Sequence, residues 1–459
     1  MAIGTSWISD WNPEDQKFWE SKGKFIARRN LIWSIFAEHL GFSIWLIWSI
    51  VATKLPQAGF HYTTDQLFQL VALPGLIGSL MRFPYTFAVV TFGGRNWTIF
   101  SASVLFIPVL ALSYFVTKPD TPFWLMLLVA ATAGLGGGNF ASSMTNISFF
   151  YPDRMKGWAL GLNAAGGNIG VSSVQLLTPI LLGVGFINLY LGPPSSGGFY
   201  LQNAGLMWLL PLTIAVCGAI FFMNNLATAR STLRDQLAIV GRKHTWIMSY
   251  IYIGTFGSFI GYSAAFPLLI KTQFPEVTIG IAFLGPLVGS LSRPLGGLLA
   301  DKVGGAIVTF WNFIAMGAAT LGVIYFIEAK EFAGFLTMFL IVFITTGVGN
   351  GSTYRMIPSI FHEEKLREAT AGEMAKSLAL KAASIESGAA LGFIGAIGAC
   401  GGYLIPRGFG ASIAATGGPY LALEIYLTFY ATCLVLTWWY YLRKAPLTSG
   451  APSLAQARV

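Results

Sequence analysis

Two arginines set in long apolar runs are the residues of this chain best placed to do chemistry. Gly78-Ser79-Leu80-Met81-Arg82 recurs as Gly289-Ser290-Leu291-Ser292-Arg293, an offset of 211 positions from Arg82 to Arg293. Neither run, 70–90 or 281–300, contains an Asp or Glu. A guanidinium stays protonated at any cellular pH, and holding one in hydrocarbon costs about 3 to 10 kcal/mol depending on how the charge is relieved. Relief comes from a buried acid, from snorkelling to an interface, or from a bound anion. Arg82 sits in mid-span and no acid is at hand, so the anion is the favoured reading. Two forked N–H arrays facing each other clamp a small planar oxyanion through bidentate hydrogen bonds.

A second constellation is Glu38-His39, inside the first apolar run between Ile35 and Trp48. A carboxyl beside an imidazole can take up and release a proton near neutral pH, which fixed guanidiniums cannot. The alternative is a structural pair tying the first helix to a neighbour. The arginines have twins, but 211 positions beyond Glu38-His39 stand Ser249-Tyr250. Arg355 and Glu386 are two further charges near the tenth and eleventh apolar runs. Arg355 either guides an anion at the cytoplasmic exit or pairs with Glu386, and the pair is the expectation. Cys217, Cys400 and Cys433 lie inside apolar runs without metal-ligand spacing and read as small buried apolar residues. No metal or cofactor is called for. With no nucleophile beside a base and no large soluble segment, an enzyme is excluded.

The elements that must position these groups are membrane helices. Of 459 residues, 54% are apolar and only 10% charged, and mean hydropathy is +0.64. Apolar runs of about 20 residues, enough to cross a bilayer, number roughly twelve. They fall near 31–53, 68–91, 97–116, 122–147, 157–183 and 203–223, then 246–270, 278–300, 305–327, 333–358, 382–404 and 418–441. Continuous runs of this length exclude a barrel. The net charge of +9 is not a nucleic-acid signal. With an inside N-terminus, 20 of the 28 Lys and Arg fall on one side of the membrane, which places both termini in the cytoplasm of a cell with an inner membrane. The first 30 residues show no cleavable signal peptide and, with Trp7, Trp11 and Trp19, read as an arm lying near the headgroups.

The offset extends beyond the arginines. Gly93-Gly94 maps onto Gly304-Gly305, and Gly136, Gly138 and Asn139 map onto Gly347, Gly349 and Asn350. One register linking three helices to three others implies two related six-helix halves, with a substrate site between them near the midplane. The expected organisation is an arm over 1–30, a first half over 31–223, a linker over 224–245, a second half over 246–441 and a tail over 442–459. Gly134, Gly136, Gly137, Gly138, Gly166, Gly167, Gly347, Gly349 and Gly351 permit close backbone approach and sliding of neighbouring helices. Tight packing explains most of them.

The string GGGNFASSMTNISFFYP, with GVGNGSTYRMIP and the duplicated arginine, resembles the NarK-type nitrate/nitrite porters of the major facilitator superfamily. RRN at Arg28–Asn30, TTDQLF at Thr63–Phe68 and FGGR at Phe92–Arg95 agree, so the resemblance covers nearly the whole chain. It implies an all-α integral membrane protein of the major facilitator fold, working as a monomer. Arg82 and Arg293 would bind nitrate or nitrite, Phe140 and Phe256 would sandwich its plane, and Asn168 and Tyr252 would donate further hydrogen bonds. Tyr252 and Phe256 share a helix face, although Tyr250 and Tyr262 compete for the same roles. FAEHLGF at Phe36–Phe42 resembles the subgroup assigned to proton-nitrate symport, with protons as the coupling ion; nitrate/nitrite exchange, which needs no protonatable group, is the runner-up. A non-transporting sensor is disfavoured by the short tails.

Overall fold

The computed structural model describes residues 7–185, 194–195, 197–227, 238–370, 376–443, 454 and 459. Twelve long helices follow one another: α1 Gln16–Lys54, α2 Thr64–Phe92, α3 Gly94–Phe115, α4 Phe123–Phe150, α5 Asp153–Leu181 and α6 Asn203–Phe222 in the first half. The second half holds α7 Lys243–Gln273, α8 Ile279–Val303, α9 Gly305–Glu328, α10 Phe332–Thr370, α11 over 376–416 and α12 Tyr420–Leu442. Eleven are long and apolar enough to cross a membrane. The twelfth, α5, is 29 residues long but more polar, because it buries Asn163, Asn168 and Gln175 in the interior. Of the expected linker, 228–237 lies outside the described residues.

The helix ends follow local chemistry. TTDQLF opens α2 with a capping box: Thr63 Oγ1 accepts from the Gln66 amide at 3.2 Å, and Gln66 Oε1 accepts from the Thr63 amide at 2.9 Å. The paired glycines close α2 and α8 at twin positions. Gly93 has φ +89° and Gly304 φ +101°, a region that glycine alone enters without strain. Their amides bond Val89 and Ala300 carbonyls, each at 2.9 Å. The duplication is thus visible in the backbone.

The expected limits of α10 and α11 move. α10 continues past 358 to Thr370, and α11 begins at 376 and runs to 416. The apolar run of α10 ends where expected, but ion pairs one turn apart, Arg367–Glu363 and Lys365–Glu368, carry the helix onward. The N-terminal arm packs on the first half. Trp11 and Trp19 are buried against Phe150 and Tyr151 at the end of α4, and Trp11 Nε1 donates to the Phe149 carbonyl. Trp7 is exposed, and its segment pairs in parallel with Asn225–Leu226.

Glycines set the distances between helices. A Cβ on Gly136 would lie 2.3 Å from the Gly41 carbonyl oxygen of α1, and one on Gly351 would lie 2.1 Å from that of Arg293. Across the halves, a Cβ on Gly75 of α2 would lie 2.3 Å from the backbone of Gly402 in α11. Replacing Gly304 by Ala, at φ +101°, should cost on the order of 1–3 kcal/mol and lower the melting temperature in detergent. Gly297→Ala, where a Cβ meets nothing, should leave it unchanged or higher; equal melting of the two variants would refute the backbone reading.

Candidate functional site

Six helices deliver one cluster of side chains at the junction of the halves. α2 brings Arg82, α8 brings Arg293, α4 brings Phe140, α7 brings Tyr252 and Phe256, α10 brings Asn350 and Tyr354, and α11 brings a backbone carbonyl. The aromatic carriers are locally irregular. A tight 3₁₀ turn, Gly134–Gly138, precedes Phe140, and a π-helical turn, Ile253–Gly257, contains Phe256. Such turns re-aim side chains and recur at functional sites.

Arg82 is fully buried. Its Nε donates to the Gly137 carbonyl at 3.1 Å, and its Nη1 donates across the halves to the Gly395 carbonyl of α11 at 2.9 Å. Its Nη2 has no protein partner, and neither has Nη1 of the nearly buried Arg293. Among the described residues, neither arginine forms an ion pair within 4.0 Å. The Arg82 guanidinium lies 4.6 Å from the centre of the Phe140 ring, 4.8 Å from that of Phe256 and 5.4 Å from that of Trp45. Arg293 lies 5.5 Å from the same Phe140 ring and 5.3 Å from Tyr354. Ring faces relieve part of the charge, but they accept no N–H bond as a carboxylate would.

The rings form one wall. Phe140 and Phe256 stack at 6.0 Å and 24°, and Phe256 stacks on Tyr252 at 5.3 Å and 18°. The competing tyrosines are elsewhere: Tyr250 bonds Thr432 on the exterior, and Tyr262 bonds Tyr430 inside the second half. Asn168 is buried on α5, with neither side-chain polar atom partnered.

Glu38 is fully buried on α1. Its Oε2 accepts from Asn163 Nδ2 at 2.6 Å, and that amide also meets Ser143 Oγ, which shares a 2.8 Å bond with Ser34 Oγ. Its Oε1 has no partner and rests against α5, where a Cβ on Gly167 would come within 2.3 Å. Gly167 therefore makes room for the carboxylate. His39 faces elsewhere: its Nδ1 meets the Gly166 carbonyl at 3.1 Å. Successive helix residues point about 100° apart, so the two are not a hydrogen-bonded pair.

Two expectations are corrected. Arg355 does not pair with Glu386. It is half-exposed and binds Asp301 at the end of α8, while Glu386 is held by Arg242 and Lys365, each at 3.0 Å. Asp301, in the last turn of α8, meets Arg355, while Arg242 just before α7 and Lys365 of α10 hold Glu386. Cys217 is exposed on α6, whereas Cys433 is buried and Cys400 intermediate; a residue in an apolar run can equally face lipid. Sequence reasoning did not single out Asn163, Asn350 or Tyr354. The last two were legible as a polar pair four apart in GVGNGSTYRM, hence on one helix face.

Six of the twelve helices thus converge on one buried site that carries two guanidiniums. The chain belongs to the Major Facilitator Superfamily, whose family model matches residues 31–372. It is a transporter and not an enzyme. It is 44% identical to the nitrate/nitrite transporter NarU of Salmonella typhimurium, over 96% of this chain and 97% of that protein. It is 37% identical to the "Probable nitrate/nitrite antiporter NarK2" of Thermus thermophilus, over 96% of this chain and 98% of that one. The crystal structure of a D-xylose-proton symporter shares the fold, with a TM-score of 0.63 at 16% identity over 89% of this chain and 96% of that one.

With nitrate as the probe, Arg82→Lys and Arg293→Lys should each lose about 10- to 100-fold in affinity, because Lys cannot present the fork. Arg355→Gln should bind as the wild type does. Titration calorimetry on purified protein reads all three, and retained affinity in both Lys variants would remove the clamp.

Proposed function

We propose that this chain carries nitrate, and nitrite as a second substrate, across the inner membrane by alternating access, and that uptake is coupled to protons. The observation that carries the reading is the pair of buried guanidiniums, each with an unpartnered terminal nitrogen, set against stacked aromatic rings. A small flat anion matches that site in charge and shape. Ring faces on its plane and guanidinium N–H donors on its edge account for the residues present, and the named relatives are nitrate/nitrite transporters.

Charge balance supports the proton. With Glu38 ionised, the empty site carries two positive charges and one negative, and nitrate alone brings it to neutrality. Nitrate with a proton on Glu38 returns the loaded site to the charge of the empty one, so both forms cross the bilayer at similar electrostatic cost. Glu38 is buried on the first half near both guanidiniums and has an oxygen free to accept the proton. His39, turned toward the α5 backbone, serves structure in this reading. The asymmetric distribution of Lys and Arg supports cytoplasmic termini, and the complete two-half core supports a monomer.

Nitrate/nitrite exchange without protons is the second reading, favoured by the name of the Thermus thermophilus relative. In proteoliposomes, an acidic exterior should accelerate nitrate uptake several-fold, and Glu38→Gln should abolish that acceleration while retaining nitrate binding. Uptake indifferent to the pH gradient but stimulated by internal nitrite would establish exchange instead.

A further inference from the structure

The Glu38 carboxylate is turned into the first half. Its Oε2 accepts from Asn163 of α5 at 2.6 Å, and its Oε1 lies against Gly167 of the same helix. Ser143 Oγ of α4 accepts from the same Asn163 amide at 2.6 Å and is within reach of the carboxylate. Ser143 Oγ in turn shares a 2.8 Å bond with Ser34 Oγ of α1, in which either hydroxyl can donate. All four side chains are buried.

This string of polar groups has a direction. With the termini on the cytoplasmic side, α1 and α5 run outward and α4 runs inward. Ser34 precedes Glu38 by one turn, Ser143 follows Phe140 by about one turn, and Asn163 precedes Asn168, so all three lie inward of the anion site. One further turn inward on α1, Asn30 Oδ1 accepts from the amide of the half-buried Asn224 at 2.8 Å. Outward of Glu38, α1 continues with Gly41, Phe42 and Trp45. Ser43 directs its hydroxyl at the His39 and Gly170 carbonyls, each at 2.9 Å.

We propose that Ser143 and Ser34 form a proton-release route, which takes the Glu38 proton to the cytoplasm through the interior of the first half while the anion moves between the halves. The inference rests on the proton-coupled reading above. In the release step the Glu38 carboxyl gives its proton to Ser143 Oγ, the Ser143 hydroxyl proton passes to Ser34 Oγ, and the Ser34 proton passes to cytoplasmic water. Glu38 is left as a carboxylate, and each serine keeps one proton. A hydroxyl can donate and accept at once, as a relay requires. The Asn163 amide donates to both oxygens and is a positioning residue that keeps the carboxylate beside Ser143. The charged and titratable groups around Glu38 are Arg82 of α2, Arg293 of α8, Tyr354 of α10 and His39 of α1. Guanidiniums hold their protons, and His39 Nδ1 is turned to the Gly166 carbonyl. Ser34 and Asn30 are buried here, so the inner end of the route is shut in this conformation. Coupling requires that water reach Ser34 only when the inner face opens. The remaining gap from Ser34 to Asn30 is one helical turn, about 6 Å, which a single water spans.

Proteoliposomes holding the full chain and a trapped pH dye test this. Ser34→Ala and Ser143→Ala should each slow nitrate uptake driven by an acidic exterior, and the internal acidification that accompanies it, by about 10-fold. Exchange of labelled nitrate at equal pH and equal nitrate on both sides, during which Glu38 stays protonated, should remain within about threefold of the wild type. Ser43→Ala, on the outward side of Glu38, should leave both rates unchanged. Nitrate binding by calorimetry shows which variants are folded; if Ser143→Ala is not, Ser34→Ala carries the test. Wild-type uptake in either folded serine variant, or equal loss of uptake and exchange, would overturn the route. A wild-type chain whose nitrate uptake brings no internal acidification would instead sink the proton-coupled reading itself, so the two failures are distinct.

Discussion

The structure depends on two guanidiniums held out of water without a carboxylate on either. Buried charges of this kind are tolerated when paired or when their hydrogen bonds are met. Here the protein meets them only in part. Arg82 spends its Nε and Nη1 on backbone carbonyls, and both arginines lean on ring faces. Terminal nitrogens remain unmatched. A protein needing only stability would replace such a pair by packed apolar side chains. Holding positive charge ready for an anion is a function that accounts for the cost.

That charge can be held in place only because the surrounding helices approach closely. Gly351 lets α10 rest on the Arg293 carbonyl, and Gly137 lets α4 close over Gly78 and Trp45. Gly167 does the same for the Glu38 carboxylate. Gly351 and Gly167 are therefore tied to the site as well as to packing: a methyl there would press on the Arg293 backbone or on the Glu38 carboxylate, whereas one on Gly137 would press on Gly78 and Trp45.

What was legible in the sequence was whatever violates local expectation. A charge in an apolar run stands out, so Arg82, Arg293 and Glu38 were found. The repeated offset exposed the two halves, and Gly93 and Gly304 carry it into the backbone with the same positive φ. What stayed hidden depends on side-chain direction. Arg355 could reach Asp301 or Glu386, and only the packing of α8 on α10 decides. Asn350 sits in a string that reads as packing, and the hydrogen bond it accepts from Tyr252 appears only in the structure. Asn139 and Asn350 share a register position yet face different neighbours, because the first half places Phe140 at the site while the second places Asn350 and Tyr354 there. Sequence symmetry does not confer equal environments.

The contact between the halves shows what transport must undo. α2 and α11 run antiparallel and touch along their length: Asp65 pairs with Arg407, Phe68 packs near Phe409, Gly75 meets Gly402, Arg82 bonds Gly395, and Thr86 lies by Gly392. Arg82 stands toward one end of these contacts, between Gly75 and Thr86. The seam combines a partly exposed ion pair, worth little in free energy, buried rings at Phe68 and Phe409, and close glycine backbone contacts. The bond from Arg82 to α11 also couples the halves directly: a ligand competing for that guanidinium changes the same contact that holds them together, which is the differential interaction any ligand-driven conformational change requires.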